Sequence, residues 1–190
     1  MISAVVLAAG QSKRLGTDKL LLELDGGSVI DIFLKKLPVS SFSRINLTYH
    51  NDKIAETAEK YGINTIYVDN PEAGQGYSIR LGLTDIDTDV MFFAADMPLL
   101  KAETIDKLIY NHKKDHITIP VCDGKRRNPV IFPAKAIDAL KAIEGDMGGR
   151  AVIDSGVFRL NMVEFSDCGQ FTDIDDMDDL KRVKELWKRY

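Results

Sequence analysis

Two apolar runs without polar alternation limit the fold of this chain more than any other feature of its sequence. The first reads Ser-Ala-Val-Val-Leu-Ala-Ala at residues 3–9, and the second reads Val-Met-Phe-Phe-Ala-Ala at residues 90–95. A strand that is apolar on both faces is buried on both sides, which is typical of a parallel sheet covered by helices. Both runs are therefore predicted to be buried strands of such a sheet.

Strand-like and helix-like segments alternate over the whole chain. Strands are expected at residues 3–9, 45–49, 64–68, 90–95, 117–121, 129–132 and 157–165. Helices are expected at residues 29–37, 54–61, 77–83, 102–112, 134–143 and 177–190. The alternation predicts an α/β fold, with a mainly parallel Rossmann-like sheet and helices on both faces, in a single domain spanning residues 1–190.

Charge and cysteine content narrow the classes of function. The net charge is −4, from 25 Lys and Arg against 29 Asp and Glu, which argues against broad nucleic-acid binding. Neither a membrane span nor a secretory pattern is found, so a cytoplasmic location is expected. Cys122 and Cys168 match no metal-binding spacing, and we expect free thiols because a disulfide is unusual in a reducing compartment.

A loop of small and basic residues follows the first apolar run. It reads Gly-Gln-Ser-Lys-Arg-Leu-Gly at residues 10–16 and continues to Lys19. Glycine lets the backbone approach a ligand, and successive N–H groups can bind phosphate oxygens beside the charges of Arg14 and Lys19. The spacing is neither that of a P-loop nor GxGxxG. Taken alone, the loop is equally compatible with a glycine turn that carries solvated basic residues.

Acidic residues follow the second apolar run. Asp96 should emerge at the carboxyl end of that strand, where α/β sheets bind ligands, and a carboxylate there can ligate Mg²⁺. Its alternative role is to cap the turn at Pro98. Asp173 and Asp175 lie on one side of an extended segment, so either could complete a metal site with Asp96.

The remaining acids precede the last predicted helix. Asp178 and Asp179 are expected to complement the helix dipole. A further glycine segment, Gly74-Gln75-Gly76-Tyr77-Ser78, opens another predicted helix and could approach a ligand there, or could be an ordinary helix start.

In chain order, these segments resemble the MobA-like nucleotidyltransferase family over nearly the whole chain. Residues 7–19 match the family opening LAxGxSxRxGxxK. The opening LAAG resembles the cytidylyltransferase branch, since LAGG is typical of the guanylyltransferase branch. Further similarities to the cytidylyltransferase branch lie at residues 19–22, 74–82, 127–130, 145–150 and 173–175.

Three positions depart from the pattern of that branch. Gln75-Gly76 replaces Met-Ser, Arg127 replaces Gly, and Asp176-Met177 replaces Thr-Pro. The first two bear on the shape of the base and pterin pockets, and the third lies in a turn.

The resemblance implies a fold of the nucleotide-diphospho-sugar transferase type and the transfer of CMP from CTP to the terminal phosphate of a molybdopterin-type cofactor. Mg²⁺, with Mn²⁺ as a substitute, is the implied cofactor. The implied catalytic residues are Arg14, Lys19 and Asp96, and the implied metal ligands are Asp96, Asp173 and Asp175. The implied nucleotide-binding residues are Leu7, Ala8, Ala9, Gly10, Arg14, Lys19, Gly74 and Ser78. The implied residues for the second substrate are Asn128, Asp146 and Arg150.

Two other interpretations stay open at this point. One is a related transferase that uses GTP or acts on a sugar or alditol phosphate. The other is a non-catalytic accessory protein in the maturation of molybdenum hydroxylases. The expected partners are CTP and molybdopterin, together with a molybdenum hydroxylase or its chaperone, and neither nucleic acid nor a membrane is expected.

Overall fold

The computed structural model describes residues 1–12 and 15–188. The strands in chain order are β1 (Ile2–Ala8), β2 (Glu23–Leu24), β3 (Gly27–Ser28), β4 (Ile45–Tyr49), β5 (Asn64–Tyr67), β6 (Asp89–Ala94), β7 (His116–Cys122), β8 (Lys125–Arg126), β9 (Val130–Phe132) and β10 (Arg159–Glu164). The helices are α1 (Val29–Lys36), α2 (Asp52–Glu59), α3 (Gln75–Gly82), α4 (Ala102–Tyr110), α5 (Ile137–Lys141), α6 (Arg150–Asp154) and α7 (Met177–Trp187).

The central sheet has the order β10-β7-β9-β6-β1-β4-β5, and β8 pairs with β7 beside it. β1 runs parallel to both β4 and β6, and β4 runs parallel to β5. β10 runs parallel to β7, but β9 is antiparallel to both of its neighbours. The predicted mainly parallel sheet is therefore confirmed, with two reversed strands, β9 and the short β8, that local sequence patterns do not reveal.

Helices cover both faces of this sheet, as predicted. Along β1, Ala4 and Val6 face one apolar core, and Val5 faces the other. The first core includes buried side chains from α1, α2, α4 and α7, and the second includes those from α3, α5 and α6. Side chains alternate between the two faces of a strand, so both faces of β1 are buried except at the partly exposed Leu7, which explains why its sequence is almost entirely apolar.

The helix bounds differ from the prediction mainly where elements are short. The helix expected at residues 134–143 is a 3₁₀ turn at Ala134–Ala136 followed by α5. The hairpin β2–β3, strand β8 and helix α6 were not predicted, because elements of two to five residues carry no readable periodicity. Within residues 1–12 and 15–188, no helix is long and apolar enough to cross a membrane.

Four chain segments meet at one edge of the sheet. β1 and β6 are neighbours, with Leu7 opposite Ala94, so their carboxyl ends lie side by side. β9 runs antiparallel to β6, with Val130 opposite Phe92, and its start therefore lies at the same edge. β7 ends there too, because it is antiparallel to β9. This edge receives the loops that follow β1 and β6 and the loop that precedes β9.

The prediction of two free thiols is wrong, because Cys122 and Cys168 form a disulfide with Cα atoms 5.6 Å apart. Cys122 is the last residue of β7, and Cys168 lies shortly after β10. These strands are parallel neighbours, so the segments that follow them leave the sheet at the same edge. The two cysteines are 46 residues apart in sequence, and only the pairing of β7 with β10 brings them together.

Candidate functional site

A lysine lies between two carboxylates at the edge where β1 and β6 end. Lys19 Nζ donates to Asp96 Oδ2 at 2.5 Å and to Asp175 Oδ1 at 2.9 Å. The side chains of Lys19 and Asp96 are 16% and 14% exposed, and that of Asp175 is 42% exposed. Three residues separated by up to 156 positions therefore form one charged group that opens to solvent on the side of Asp175.

The loop after β1 places Lys19 by hydrogen bonds of its own backbone. Lys19 begins a 3₁₀ turn at Lys19–Leu21, and Asp18 caps this turn by accepting from the Leu20 N–H. The Ser12 hydroxyl accepts from the Lys19 N–H at 3.0 Å. The Asn51 amide, which follows β4, donates to the other oxygen of Asp18 at 3.1 Å. Lys19 is thus held directly by Ser12. Its neighbour Asp18 is held by Asn51, the residue that caps α2.

The acidic segment before α7 is fixed to the loop after β6. The Ile174 N–H donates to the Asp96 carbonyl at 3.1 Å, which places Asp175 beside Asp96. Asp176 caps α7, and the Asp179 carboxylate accepts from the N–H groups of Asp175 and Asp176. The departure at Asp176 therefore supplies a helix cap, a role that aspartate fills as well as threonine does.

Burial and charge act in opposite directions on this group. Burial raises the pKa of Asp96, the charge and hydrogen bond of Lys19 lower it, and the charges of Asp173 and Asp175 raise it again, so the pKa of Asp96 lies above its ordinary value. Burial lowers the pKa of Lys19, but its two carboxylate partners outweigh burial and raise this pKa above its ordinary value. Lys19 is therefore a firmly charged cation.

One carboxylate oxygen of Asp96 does not contact Lys19. Asp96 Oδ1 is buried and accepts no hydrogen bond within the described part of the chain. A buried acceptor without a partner is costly unless a ligand or a cation satisfies it. Asp96 and Asp175 together offer the hard oxygen donors that Mg²⁺ and Mn²⁺ prefer. The residues present therefore fit a divalent cation held between these two carboxylates.

Asp173 is close enough for its charge to raise the pKa of Asp96, but it lines a different cavity. Asp175 and Asp96 line one cavity, whereas Asp173 lines the cavity next to it. Within residues 1–12 and 15–188, the group of three potential metal ligands whose donor atoms lie within 4.8 Å of one another is Cys122, Asp123 and Cys168. Two members of that group are joined in the disulfide, so their sulfur atoms are not available as thiolate ligands.

The first cavity extends from the Lys19 group over the loop after β1 and has a volume of about 490 Å³. Its lining includes the following residues that the sequence pointed to: Leu7, Ala8, Ala9, Gly10, Lys19, Gly74, Ser78, Asp96, Asp146 and Asp175. Arg14 lies outside the described residues. The structure therefore brings these predicted residues together around one cavity.

Gly74 and Asp146 line the first cavity, and the two glycine-containing segments that carry them pack closely against each other. Gly74 has φ of 90° and packs so closely on Gly145 and Asp146 that a Cβ atom would overlap them. The Gly76 N–H donates to the Gly145 carbonyl at 2.9 Å, and a Cβ on Gly76 would overlap the Ile143 carbonyl. The departure from serine at Gly76 is thus required by this close approach of α3 to the segment after α5.

A second cavity of about 410 Å³ adjoins the first, and Leu7, Gln75 and Ala94 line both. Of the residues implied for the second substrate, Asn128 and Arg150 line this cavity, whereas Asp146 lines the first and accepts from the Gln75 N–H. Asn128 arrives here because β9 is reversed and its preceding loop lies at the carboxyl end of β6.

Gln75, Arg126 and Arg127 line the second cavity and were not proposed as site residues from the sequence. One signal in the sequence points to Gln75 and Arg127, although none points to Arg126. Both residues depart from the family pattern, and a departure toward a polar side chain in a binding segment is a sign of altered recognition.

Comparison with known proteins gives the family. A family model described as the MobA-like NTP transferase domain matches residues 4–161. The molybdenum cofactor guanylyltransferase of Cupriavidus metallidurans is 30% identical over 190 residues, covering 94% of this chain and 92% of that protein. A probable molybdenum cofactor guanylyltransferase of Natranaerobius thermophilus is 33% identical over 133 residues, covering 65% of this chain and 62% of that protein, which is less than two thirds of its length. The purine catabolism protein PucB of Bacillus subtilis is 24% identical over 199 residues, covering 95% of this chain and 94% of that protein.

Solved structures agree with this match. The crystal structure of Rv0371c from Mycobacterium tuberculosis has a TM-score of 0.86 and 26% identity, covering 97% of this chain and 98% of that one. The same protein in complex with manganese has a TM-score of 0.80 and 23% identity, with the same coverage. The family model covers most of the chain, and the fold agrees over nearly its whole length. The chain therefore belongs to the MobA-like NTP transferase family.

Proposed function

We propose that this protein is a magnesium-dependent nucleotidyltransferase that transfers CMP from CTP to the terminal phosphate of a molybdopterin-type cofactor and releases pyrophosphate. The observation that carries the proposal is the Lys19–Asp96–Asp175 group at the end of the first cavity, beside a second cavity that shares Leu7, Gln75 and Ala94 with it. Two adjoining cavities suit a donor and an acceptor held at a common point. The relatives named as molybdenum cofactor guanylyltransferases support the acceptor class.

The chain's own residues position the reactants. An oxygen of the acceptor phosphate attacks the α-phosphorus of the nucleotide, the bond from that phosphorus to the bridging oxygen of the β-phosphate breaks, and pyrophosphate leaves. The attacking phosphate is already ionised at neutral pH, so no general base is needed, and catalysis rests on positioning and charge. Lys19, and Arg14 by the family resemblance, would neutralise the negative charge that builds up on the pyrophosphate.

We assign the divalent cation to Asp96 and Asp175 rather than to Asp173. Asp96 and Asp175 already share one cation, Lys19 Nζ, and the second oxygen of Asp96, which has no hydrogen-bond partner among the described residues, offers a further ligand. When bound, Mg²⁺ would neutralise triphosphate oxygens and act as a Lewis acid there. The manganese complex of Rv0371c supports a divalent cation in a protein of similar fold. Lys19 would then be displaced toward the phosphates.

Preference for CTP is assigned to Ala9. Ala9 lines the first cavity and is 7% exposed, so its methyl group takes space that a glycine in an LAGG opening would leave free. A pyrimidine is smaller than a purine and tolerates the narrower wall.

We expect Ala9→Gly to raise kcat/KM for GTP relative to CTP by about tenfold, the usual effect of one methyl group in a binding pocket. The ratio should be measured by pyrophosphate release with each nucleotide in turn. Ala142→Gly, at an exposed position outside both cavities, is the matched control and should leave the ratio unchanged. If the ratio of kcat/KM for GTP to that for CTP is unchanged in Ala9→Gly, Ala9 does not determine the nucleotide preference.

The proposed function is tested by incubating the protein with Mg²⁺, molybdopterin and either CTP or GTP, and measuring pyrophosphate. Faster release with CTP is the expected result. Turnover of GTP alone would place the protein in the guanylyltransferase branch, and turnover with a sugar or alditol phosphate in place of molybdopterin would change the acceptor. No pyrophosphate from any triphosphate would favour an accessory role in the maturation of a molybdenum hydroxylase.

A further inference from the structure

The charged lining of the second cavity consists, among the described residues, of Arg126, Arg127, Arg150 and Asp173. Arg126 Nη1 donates to Asp154 Oδ1 at 2.7 Å, so its charge is balanced outside the cavity lining. A positive excess remains on Arg127 and Arg150, with Asp173 as the single acid among these four. The cavity therefore favours an anionic occupant.

Arg127 differs from a solvated surface arginine in one respect. Its Nε atom is buried and has no hydrogen-bond partner among the described residues. A buried N–H group of a charged side chain is costly to leave unpaired, and an anionic oxygen is its strongest acceptor. The side chain thus carries a donor for which the described residues supply no acceptor.

The backbone around Arg127 is held in place from several sides. The Arg127 N–H donates to the Pro120 carbonyl at 2.8 Å, and the preceding β7–β8 hairpin pairs Cys122 with Lys125. The disulfide from Cys122 to Cys168 ties the turn end of this hairpin to the segment that leads to Asp173. The guanidinium is therefore presented from a fixed backbone, and a ligand that binds it spends little free energy on ordering the loop.

Flat apolar side chains lie in the same cavity. Phe92 and Phe132 form an edge-to-face pair with ring centroids 5.7 Å apart, and both line the second cavity with Arg127. Such a wall suits an occupant that combines a planar ring system with an anionic group.

We propose that Arg127 binds an anionic oxygen of the acceptor substrate in the second cavity through its buried Nε–H group. The assignment of that cavity to the acceptor rests on the proposed function. Because the cytidylyltransferase pattern has glycine at this position, Arg127 gives this chain a contact that glycine cannot make. The contact favours acceptors with an anionic oxygen inside the second cavity over neutral ones.

The first test measures substrate constants of Arg127→Gly and Arg127→Lys. Loss of a charged hydrogen bond corresponds to about a tenfold to hundredfold loss of affinity. We expect the acceptor KM to rise by about this factor in Arg127→Gly while the CTP KM stays constant. Arg127→Lys keeps the charge but loses the Nε–H group, so it should recover only part of the affinity. Arg159→Ala, an exposed arginine at the start of β10, is the control and should change neither constant.

The second test does not depend on turnover. Titration of the wild-type protein with inorganic phosphate should shift the Nε–H resonance of Arg127 in a ¹⁵N NMR spectrum, and the Arg159 resonance should not move. A shift in a protein that releases no pyrophosphate would support the contact and refute the proposed function. An Arg127 resonance that phosphate leaves in place, or an unchanged acceptor KM in an active Arg127→Gly variant that is folded by circular dichroism, would overturn the inference.

Discussion

Replacement of Asp96 by asparagine is expected to lower the rate of nucleotidyl transfer by about 100- to 1000-fold, the usual effect of removing one charged group that stabilises the transition state. The amide has nearly the same shape but cannot serve as an anionic ligand, and it removes one of the two carboxylates that hold Lys19 Nζ. Steady-state rates of pyrophosphate release at saturating CTP and acceptor measure the loss.

The fold of this variant should survive. Asp175 remains 2.9 Å from Lys19 Nζ, so the lysine is not left without a partner. The pKa of Asp96 is raised on folding, chiefly by burial, so its ionisation at pH 7 costs folding free energy that the neutral amide does not. This cost disappears as the pH falls below the carboxyl pKa of the unfolded chain. We therefore expect a Tm at pH 7 within about 4 °C of the wild type, a shift that corresponds to roughly 1 kcal/mol for a chain of this size.

Two control experiments test whether the loss of activity is specific to the Asp96 carboxylate. Asp85→Asn removes an exposed carboxylate that pairs with Arg44 at 3.2 Å, outside the linings of both cavities, and should retain wild-type activity. Mg²⁺ should raise the Tm of the wild type but not that of Asp96→Asn, because a ligand that binds only the folded state stabilises it. Near-normal turnover by folded Asp96→Asn would contradict the assigned role of this carboxylate.

Loss of the Cys122–Cys168 disulfide is expected to lower the free energy of unfolding by about 4 kcal/mol, because an open chain regains the entropy that a cross-link removes from the unfolded state. The bond joins residues that are 46 positions apart, which is a long loop. For a chain of this size, the loss corresponds to a decrease in Tm of roughly 10 °C. Thermal unfolding followed by circular dichroism, with and without a dithiol reductant, measures it.

The double variant Cys122→Ser/Cys168→Ser separates loss of the bond from other effects of the reductant. Its Tm should resemble that of the reduced wild type, and reductant should not lower it further. The same bond links the hairpin that precedes Arg127 to the segment that precedes Asp173, and both residues line the second cavity. We therefore expect the acceptor KM to rise more than the CTP KM when the bond is lost. A wild-type Tm that is indifferent to reductant would contradict the assigned stabilisation.

Much of the candidate site could be predicted because its residues lie just after the ends of strands that the sequence itself indicates. The apolar run of β1 indicates a strand buried on both faces, and so does that of β6, and ligands of α/β sheets bind where such strands end. Lys19 and Asp96 are both near such ends, and the pairing of Leu7 with Ala94 in the structure brings these ends together. The role of Arg14 stays a prediction.

The sequence by itself determined the α/β class, the apolar strands and the loops that carry the charged residues, since each depends on residues close together in the chain. Only the tertiary structure decided which distant groups meet. It placed Lys19 between Asp96 and Asp175, joined Cys122 to Cys168, and buried one nitrogen of Arg127 that has no hydrogen-bond partner among the described residues. The physical reason is that these outcomes depend on strand order, on the reversed direction of β9 and on burial, which are set by packing between segments that no local pattern connects.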